Sequence, residues 1–314
     1  MIQSRFNDSI FMNGVLIIDK PAGLTSHDVV NRVRRILRQR AVGHLGTLDP
    51  LATGVLPLVL GNLTRLAQFY VSSEKSYEGV IRFGFATDTY DAEGETVGPV
   101  QEPGITLAQV RELAGKFKGI IEQTPPPFSA KKINGVPAYK LARKKKETPL
   151  KPVQVEIKQF EITSVEGGRA HFTARVTSGT YLRVVAHEMG KLAGCGAHLE
   201  SLRRTAVAEF ELNDAHTLEE LQQAVQGGEV AAVKVEAGEV NIEDMLIHPR
   251  KLLPALPCVT ATDEAISKIR HGMSVNLPEL SRARLVKVFQ GQRELIAIST
   301  RVAGTLFHPK IVLG

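Results

Sequence analysis

The pattern of apolar segments changes at residues 247–249, and this change limits which folds the chain can adopt. Before this point, short apolar segments alternate with stretches of helical period. After it come short apolar segments, such as 285–289 and 295–299, between glycine and proline turns. A length of 314 residues also suits about two domains of roughly 150 residues each. We therefore expect one large domain of mixed helices and strands over residues 10–247 and a small β-rich domain over residues 248–314.

Capping residues and apolar spacing predict the helices and strands of the large domain. Thr25 with Asp28, and Thr106 with Gln109, have the spacing of capping boxes, and an apolar stripe of helical period follows each pair. Thr217 and Glu220 repeat that spacing. The predicted helices cover residues 26–38, a stretch from 107, a stretch from 184 closed by Gly194, and a stretch after 217. The predicted strands cover residues 13–20, 77–85, 153–162 and 170–177.

Positive charge is clustered rather than spread. The net charge of +6 is modest, so its placement matters more than the total. One cluster follows the first predicted strand, and the other lies in segment 124–152, which we expect to be an exposed, mobile arm because it has little apolar periodicity. Two such clusters favour a polyanionic partner, and nucleic-acid phosphate is the obvious candidate. The clusters are Arg32, Arg34, Arg35, Arg38 and Arg40, and Lys131, Lys132, Lys140, Arg143, Lys144, Lys145, Lys146 and Lys151.

Several classes of protein are disfavoured by what the sequence lacks. Cys195 and Cys258 stand far apart, so we expect neither a disulfide framework nor a zinc ribbon, and a reducing cytosol fits. We expect no signal peptide and no membrane span. His187 lacks the second histidine of a zincin, the glycines at 194 and 196 lack the third of a dinucleotide site, and no Walker A sequence exists. The expected cofactor and metal content is therefore none.

One carboxylate stands out in the run Gly-His-Leu-Gly-Thr-Leu-Asp-Pro-Leu-Ala-Thr-Gly at residues 43–54. Asp49 is the only acid of this run, among glycines, a proline and small or apolar residues. Such a loop lets backbone approach a ligand closely and leaves the carboxylate poorly solvated, which suits a nucleophile or a base. The alternative is that an aspartate before a proline only starts a turn.

Five ordered stretches resemble the bacterial tRNA pseudouridine synthase B family, and the resemblance covers nearly the whole chain. The matching stretches are 14–23, 43–56, 75–77, 87–94 and 178–183, with 194–199 and 202–205 following in order. Leu45 stands where a threonine is more usual in the family, a departure that we do not expect to affect the chemistry.

The resemblance implies a fold and an activity. The fold is α+β, with a mixed, mainly antiparallel central sheet, flanking helices, an RNA-gripping insertion at 124–152 and a C-terminal part that resembles a small RNA-binding domain of the PUA type. The activity is isomerisation of the T-loop uridine of tRNA, at position 55, to pseudouridine without a cofactor. The protein would be a cytoplasmic monomer that binds the T-stem-loop of tRNA and needs no membrane, guide RNA or protein partner.

The resemblance also implies three catalytic residues. Asp49 would be the nucleophile, and burial against a base would raise its pKa. Arg183 would offset that rise by ion pairing, because a nearby positive charge favours the carboxylate. Tyr77 would stack on the target uracil and take the proton from C5.

Four further residues are expected at the substrate. Tyr181 would help to line the pocket, and Leu202 belongs to the same substrate-binding set. His44 would fill or brace the space left by the extruded base, although a structural loop histidine is the alternative. Lys20, with Pro21, belongs to a motif that packs behind the tyrosine in a supporting role.

Rival functions remain open from the sequence. The chain could act on another RNA, or be the guide-dependent relative found in archaea and eukaryotes, although it shows no extended lysine-rich tail. It could also bind or fold tRNA without necessary catalysis. A carboxylate hydrolase is the weakest alternative, because no second acid is visible beside Asp49.

Overall fold

The computed structural model describes residues 12–126, 128–129, 131–133, 135–137, 150–226, 233–235 and 238–314. Among these residues, no helix is both long enough and apolar enough to cross a membrane. Short 3-10 turns lie at Gly61–Leu66, Leu212–Asp214 and Pro249–Lys251. The α-helices are α1 (Ser26–Ile36), α2 (Ala67–Tyr70), α3 (Leu107–Gly115), α4 (Leu182–Ala193), α5 (Leu218–Gln226) and α6 (Asp263–Arg270).

Ten of the described strands belong to one large sheet. Its order is β14-β1-β3-β12-β4-β11-β10-β7, with β2 paired to β3 and β13 paired to β12. The strands up to residue 240 are β1 (Gly14–Lys20), β2 (Val42–His44), β3 (Thr53–Leu60), β4 (Lys75–Phe83), β5 (Ala86–Thr87), β6 (Thr96–Val97), β7 (Gly119–Gln123), β8 (Lys132–Ile133), β9 (Val136–Pro137), β10 (Val153–Glu166), β11 (Arg169–Val176), β12 (Ala197–Val207), β13 (Phe210–Glu211), β14 (Ala215–His216), β15 (Val233–Val235) and β16 (Gly238–Val240).

The pairing of this sheet confirms the predicted fold class. The β1–β14 and β12–β3 pairs are parallel, and the other pairs of the large sheet are antiparallel. Helices α1, α3, α4 and α5 contribute to the core on one face of the sheet. The chain is therefore α+β, with a mixed, mainly antiparallel sheet.

Strands β1 and β3 are buried on both faces. In β1, Leu16 and Ile18 join the core that includes the helices, whereas Val15 and Ile17 join a second core that includes Phe289 from the C-terminal part. Successive residues of a strand point to opposite faces, so burial on both sides requires a continuous apolar run rather than an alternating one. This is why these strands read as unbroken apolar segments.

The C-terminal part is a five-stranded sheet in the order β17-β19-β20-β21-β18, which confirms the predicted β-rich character. The exact boundary at residues 247–248 stays a prediction. Its strands are β17 (Cys258–Thr260), β18 (Val275–Asn276), β19 (Leu285–Gln290), β20 (Glu294–Ala303) and β21 (Leu306–Val312).

Hydrogen bonds join this C-terminal part to the large sheet. The Tyr70 hydroxyl donates to Oε1 of Glu209 at 2.6 Å, and the same oxygen accepts from the backbone N–H of Leu253 at 2.8 Å. Arg65 Nη1 donates to the carbonyl of Val312 at 2.8 Å. With the shared apolar core, these bonds fix the C-terminal part against the sheet.

The capping signals predicted their helices correctly, and the ends differ by a few residues. Both residues of each capping box at Thr25 and Thr106 make the reciprocal bonds, and Gly194 ends α4 with a φ of +73°. Helix α1 stops at Ile36, before the predicted end, and Arg38 then adopts a left-handed φ of +51°. The strand predicted at 77–85 ends at 83, because the backbone turns at Gly84 with a φ of +115°.

The predicted arm at 124–152 is only partly described. Strands β8 and β9 pair across Gly135, whose φ is +82°, so this portion forms a small hairpin rather than structureless chain. The basic residues from Lys140 to Lys146 lie outside the described residues, and the mobility of the arm stays a prediction.

Candidate active site

The loop that carries Asp49 joins β2 to β3 and is pinned by the start of α1. Ser26, the first residue of α1, is 2% exposed, and its hydroxyl accepts from the N–H of Leu48 at 2.8 Å and donates to the carbonyl of Leu48 at 3.1 Å. The two bonds fix both polar groups of the residue before Asp49. From the sequence, Ser26 is expected only as the start of a helix, and its role in the loop depends on the tertiary fold.

Lys20 holds the other side of the same turn. The side chain is fully buried, and Nζ donates to the carbonyls of Pro21 at 2.8 Å, Leu24 at 2.7 Å and Pro50 at 3.2 Å. Burial lowers the pKa of Lys20 to about 8. These contacts use all three N–H groups of the ammonium, so Nζ supports the turn from behind, and a direct contact with a substrate is not available to it here.

Arg183 lies between two carboxylates. Its Nη2 is 3.1 Å from Oδ2 of Asp49 and donates to Oδ1 at 3.2 Å, while Nη1 is 3.6 Å from Oδ2 of Asp91. The Arg183 side chain is 5% exposed, and Nη2 also donates to the carbonyl of Phe128 at 2.8 Å. The start of α4 thus presents a fixed guanidinium to Asp49, as the resemblance implied.

Asp49 carries a carboxylate that is only partly solvated. Its side chain keeps 41% of its surface exposed, in contact with the almost buried Arg183. Burial raises the pKa of the Asp49 carboxyl above its ordinary value, Arg183 and Lys20 oppose this rise, and Asp91 adds to it. The carboxylate is therefore less stabilised by water than a surface aspartate and more reactive as a base or nucleophile.

Asp91 is a second acid close to Asp49, so the expectation that no second acid lies beside Asp49 is wrong. Its side chain is 6% exposed, and Oδ1 accepts from the Thr89 hydroxyl at 2.6 Å and from the N–H of Glu93 at 3.1 Å. It lies 42 positions away along the chain, and only the fold brings it beside the loop. The sequence signal for this acid is the stretch 87–94, which carries the family resemblance and contains three acidic residues.

A hydrolase was disfavoured because no second acid was visible beside Asp49, and the presence of Asp91 removes that reason. The Asp91 carboxylate accepts hydrogen bonds from Thr89 and Glu93 and forms an ion pair with Arg183, and its buried position fits the orientation of a guanidinium better than proton transfer to a ligand. Glu93 adds a third carboxyl nearby, and its pKa is raised by burial and by Asp91 and Asp49. The choice between isomerisation and hydrolysis therefore depends on the family and not on a count of acids.

Tyr77 lies on β4 next to the Asp49 loop and is 9% exposed. Burial raises the pKa of its phenol, which is therefore protonated at neutral pH. Directly opposite it on β12 is Arg204, and on the other side is Ala174 of β11. Arg204 was not singled out from the sequence, where it was one of several arginines.

The remaining predicted residues surround this centre. His44 ends β2, and its Nδ1 accepts from the N–H of Gly46 at 3.3 Å, so Nε2 bears the proton of the neutral ring. Burial lowers the pKa of His44, which favours that neutral form. The Arg183 guanidinium is 5.9 Å from the ring centre of Tyr181, which precedes α4. Leu202 of β12 is partly buried against the core.

Metal binding has no evident place in this arrangement. Over the ranges that the structure describes, no group of three or more histidine, cysteine, aspartate and glutamate side chains is placed to hold a metal ion. The charged centre consists instead of three carboxyls with an arginine and a lysine. Such a centre can orient an anionic nucleophile and can exchange protons.

The sequence matches two family models. Residues 34–182 match the model described as TruB family pseudouridylate synthase (N terminal domain), and residues 183–235 match the tRNA pseudouridylate synthase B C-terminal domain. Relatives named tRNA pseudouridine synthase B include one from Solibacter usitatus, 44% identical over 96% of this chain and 100% of its own length. Another, from Aquifex aeolicus, is 36% identical over 96% and 100% of the two chains.

Solved structures share the fold. A chain of a Cbf5-Nop10-Gar1 complex aligns with a TM-score of 0.69 and 26% identity, over 97% of this chain and 86% of that chain. A chain of an archaeal box H/ACA sRNP Nop10-Cbf5 complex aligns with a TM-score of 0.66 and 25% identity, over 97% and 87%. The similarity therefore extends over both the large sheet and the C-terminal sheet.

Proposed function

Since the chain belongs to the TruB family of pseudouridylate synthases, we propose that it isomerises the T-loop uridine at position 55 of tRNA to pseudouridine. The family makes it a tRNA pseudouridine synthase, an isomerase. The observation that carries the finer proposal is the ion pair between Asp49 and the buried Arg183, which Asp91 holds from its other side.

Asp49 is the proposed nucleophile. Pseudouridine formation breaks the bond between C1′ and N1, turns the uracil and joins C1′ to C5, so one fragment must be held while the other rotates. An ionised carboxylate can do this from C1′ of the sugar or from C6 of the base. Arg183 favours the ionised form of Asp49, and the bonds to Leu48 and Pro50 hold the loop in place for attack.

Tyr77 is the proposed partner on the base. After C1′ bonds to C5, the proton on C5 must leave, and the electron pair of that C–H bond then restores the C5=C6 double bond. A phenolate accepts such a proton, and the face of a phenol stacks on uracil. The position of Tyr77 on β4, next to the Asp49 loop, supports both roles.

The target uridine must leave its stack before either residue can reach it. Extrusion of a base costs about a few kcal/mol, which contacts in the pocket must offset. Tyr181 and Leu202 are proposed to line this pocket, and His44 to brace the space left in the RNA. A neutral His44 is suited to stacking and hydrogen bonding there because it carries no charge that would need solvation.

The exposed basic residues are proposed to hold the rest of the tRNA. Phosphate contacts position a nucleic acid without reading its sequence. The exposed arginines of the α1 region, the insertion at 124–152 and the PUA-like C-terminal part are the proposed contacts, with no guide RNA and no second protein.

Site-resolved mapping of pseudouridine tests this proposal. Unmodified tRNA transcript, without guide RNA, is incubated with the wild-type chain, with Asp49→Asn, and with Asp88→Asn as a matched control on an exposed aspartate. We expect pseudouridine at position 55 from the wild type and from Asp88→Asn, and none from Asp49→Asn, which should still bind tRNA. Product at another position would contradict the proposed substrate site, and turnover by Asp49→Asn would contradict the nucleophile.

Tyr77→Phe tests the base. This variant keeps the stacking ring and loses the phenol, so its single-turnover rate should fall far more than its affinity for tRNA. Equal losses of rate and affinity would limit Tyr77 to binding. A role in tRNA folding without catalysis would instead appear as folding assistance that survives in Asp49→Asn.

A further inference from the structure

Arg204 is a buried cation on β12. It is fully buried, and its guanidinium donates to three backbone carbonyls: Nε to Val55 at 2.8 Å, Nη1 to Thr47 at 3.3 Å and Nη2 to Gly46 at 3.0 Å. The guanidinium also lies within hydrogen-bonding reach of the Tyr77 phenol. Among the residues that the structure describes, no carboxylate forms an ion pair with it. Burial of a charge without a counter-ion is unfavourable, and burial lowers the pKa of Arg204.

The side chain next to Arg204 on the neighbouring strand is the phenol of Tyr77. The two residues are directly opposed in the antiparallel pairing of β4 with β12, so their side chains share one face of the sheet with Cβ atoms about 5 Å apart. Burial raises the pKa of the Tyr77 phenol, and the Arg204 charge opposes that rise. A phenolate at Tyr77 would supply the anion that Arg204 otherwise lacks.

The other charged groups around Tyr77 do not favour its ionisation in the same way. Asp49, on the loop, raises the pKa of the phenol. Lys75 is two residues earlier on β4, and burial lowers its own pKa to about 8, with a further lowering by Arg204. The residue opposite Tyr77 on β11 is Ala174, which carries no charge. Arg204 is therefore the cation placed to stabilise a phenolate.

We propose that Arg204 is a positioning residue of the isomerisation, which ties the Gly46–Thr47 end of the Asp49 loop to β12 and supplies the positive charge beside Tyr77 when the phenol is ionised. The proposal rests on the proposed function, in which Tyr77 takes the C5 proton. Tyr77 first loses its phenolic proton to solvent. The phenolate then takes the proton from C5, and the electron pair of the C5–H bond becomes the C5=C6 double bond of pseudouridine.

The test measures the phenol directly and needs no RNA. A fluorinated tyrosine placed at position 77 of the full chain reports its ionisation through its ¹⁹F chemical shift. The titration is run in the wild-type background and in Arg204→Met, Arg204→Gln and Arg204→Lys. We expect the fluorophenol pKa to rise by about one unit or more in the neutral variants, a tenfold loss of phenolate at a given pH, and to return towards the wild-type value in Arg204→Lys.

Single-turnover rates complete the test. The rate should increase with pH as the phenolate fraction increases, and this rise should move to higher pH in the neutral variants by the same interval as the fluorophenol pKa. Arg204→Gln keeps a donor for the loop carbonyls and serves if Arg204→Met does not fold. Lys75→Met is the control for loss of a nearby half-buried cation and should shift the fluorophenol pKa less.

An unchanged fluorophenol pKa in a folded neutral variant would overturn the proposal and leave Arg204 with a purely structural role. A shifted pKa in a protein that forms no pseudouridine would instead contradict the proposed function alone. The two failures are therefore distinguishable.

Discussion

At the scale of the residue, the Asp49 carboxylate is held 3.1 Å from Arg183, yet burial still raises its pKa. A carboxyl whose pKa is higher in the folded chain than in the unfolded chain favours folding when protonated. Its ionisation therefore reduces the free energy of unfolding as pH rises from the ordinary aspartate range through the raised pKa. The proposed nucleophile is thus a local source of instability at neutral pH, as is common where a site is built for activity.

We predict that Asp49→Asn is more stable than the wild type at neutral pH. The amide removes the poorly solvated charge, so Tm at pH 7 should rise by roughly 2–4 °C, the equivalent of about 1 kcal/mol in a protein of this size, with solvent around the exposed part of the side chain limiting the effect. Thermal melts between pH 4 and pH 8 measure this. The gap should close as pH falls, because the wild-type carboxyl then takes up its proton. A constant gap at all pH values would contradict the pKa assignment.

Some residues of the site could be recognised from the sequence, and others could not. The loop around Asp49 was identifiable because a single acid among glycines and apolar residues is unusual. Asp91 and Arg204 were not, because each acts on Asp49 or its loop from a distant part of the chain. Charge partners set by tertiary contacts leave no local pattern.

At the scale of the element, the loop depends on the close parallel pairing of β3 with β12. Gly54 has a φ of +97°, and a Cβ at this position would lie 2.2 Å from the carbonyl oxygen of Arg204. This close approach lets β12 run beside β3, so that Arg204 can reach the loop carbonyls. Neither the spacing of apolar residues nor the capping signals predicted this pairing, because it joins strands that are about 150 residues apart.

We predict that Gly54→Ala destabilises the chain strongly. The added methyl group would collide with backbone, which cannot move aside as a flexible side chain can, so the loss should be about 3 kcal/mol or more. Gly23→Ala is the matched control: its φ is +80°, but no atom lies within 4 Å of the added Cβ, so only the left-handed strain of about 1–2 kcal/mol applies. Denaturant unfolding of both variants measures the difference. Similar losses would show that backbone strain, and not the close approach of β12, sets the requirement for glycine.

We predict that the α1 region contributes to the salt dependence of tRNA binding. Arg32, Arg35, Arg38 and Arg40 are exposed, whereas Arg34 Nη2 donates to the carbonyl of Val42 at 2.8 Å. Each of the four arginines that contacts a phosphate adds about 0.7–0.9 to the slope of log K against log salt.

Replacing these four exposed arginines by glutamine should weaken binding and flatten that slope, as measured by tRNA titrations at several salt concentrations. Arg169→Gln, in an exposed arginine paired with Glu200 on the large sheet, is the control and should leave the slope unchanged. An unaltered slope in the fourfold variant would mean that these arginines face solvent and make no contact with tRNA phosphates.

At the scale of the whole molecule, the C-terminal part completes the core of the large sheet. Val15, Ile17, Val55 and Val59 pack in one cluster with Phe289 and other apolar residues of the C-terminal sheet. The sequence predicted the β-rich character of residues 248–314 from its turns and short strands. It did not predict this packing, because an apolar run buried on both faces looks the same whichever element covers it.

We predict that a chain ending at residue 247 does not fold as an independent domain. Removal of the C-terminal part would expose the apolar face of β1 and β3 and break the bond between Glu209 and Leu253. The shortened chain should therefore aggregate, bind a hydrophobic dye and lose the cooperative thermal transition of the full chain. A soluble fragment that melts at the wild-type temperature would contradict this and make the C-terminal part a removable module.

The burial of β1 and β3 on both faces also has a consequence for biosynthesis. These strands leave the ribosome long before the residues of the C-terminal part that help to cover one of their faces, which run from Leu252 to Leu313. At about 5–20 residues per second, synthesis of the roughly 250 residues between Val59 and Leu313 takes about 13–50 s, and part of that face stays open during this time. The nascent chain must remain free of aggregation during this interval, because that core is complete only when the C-terminal sheet packs on strands made much earlier.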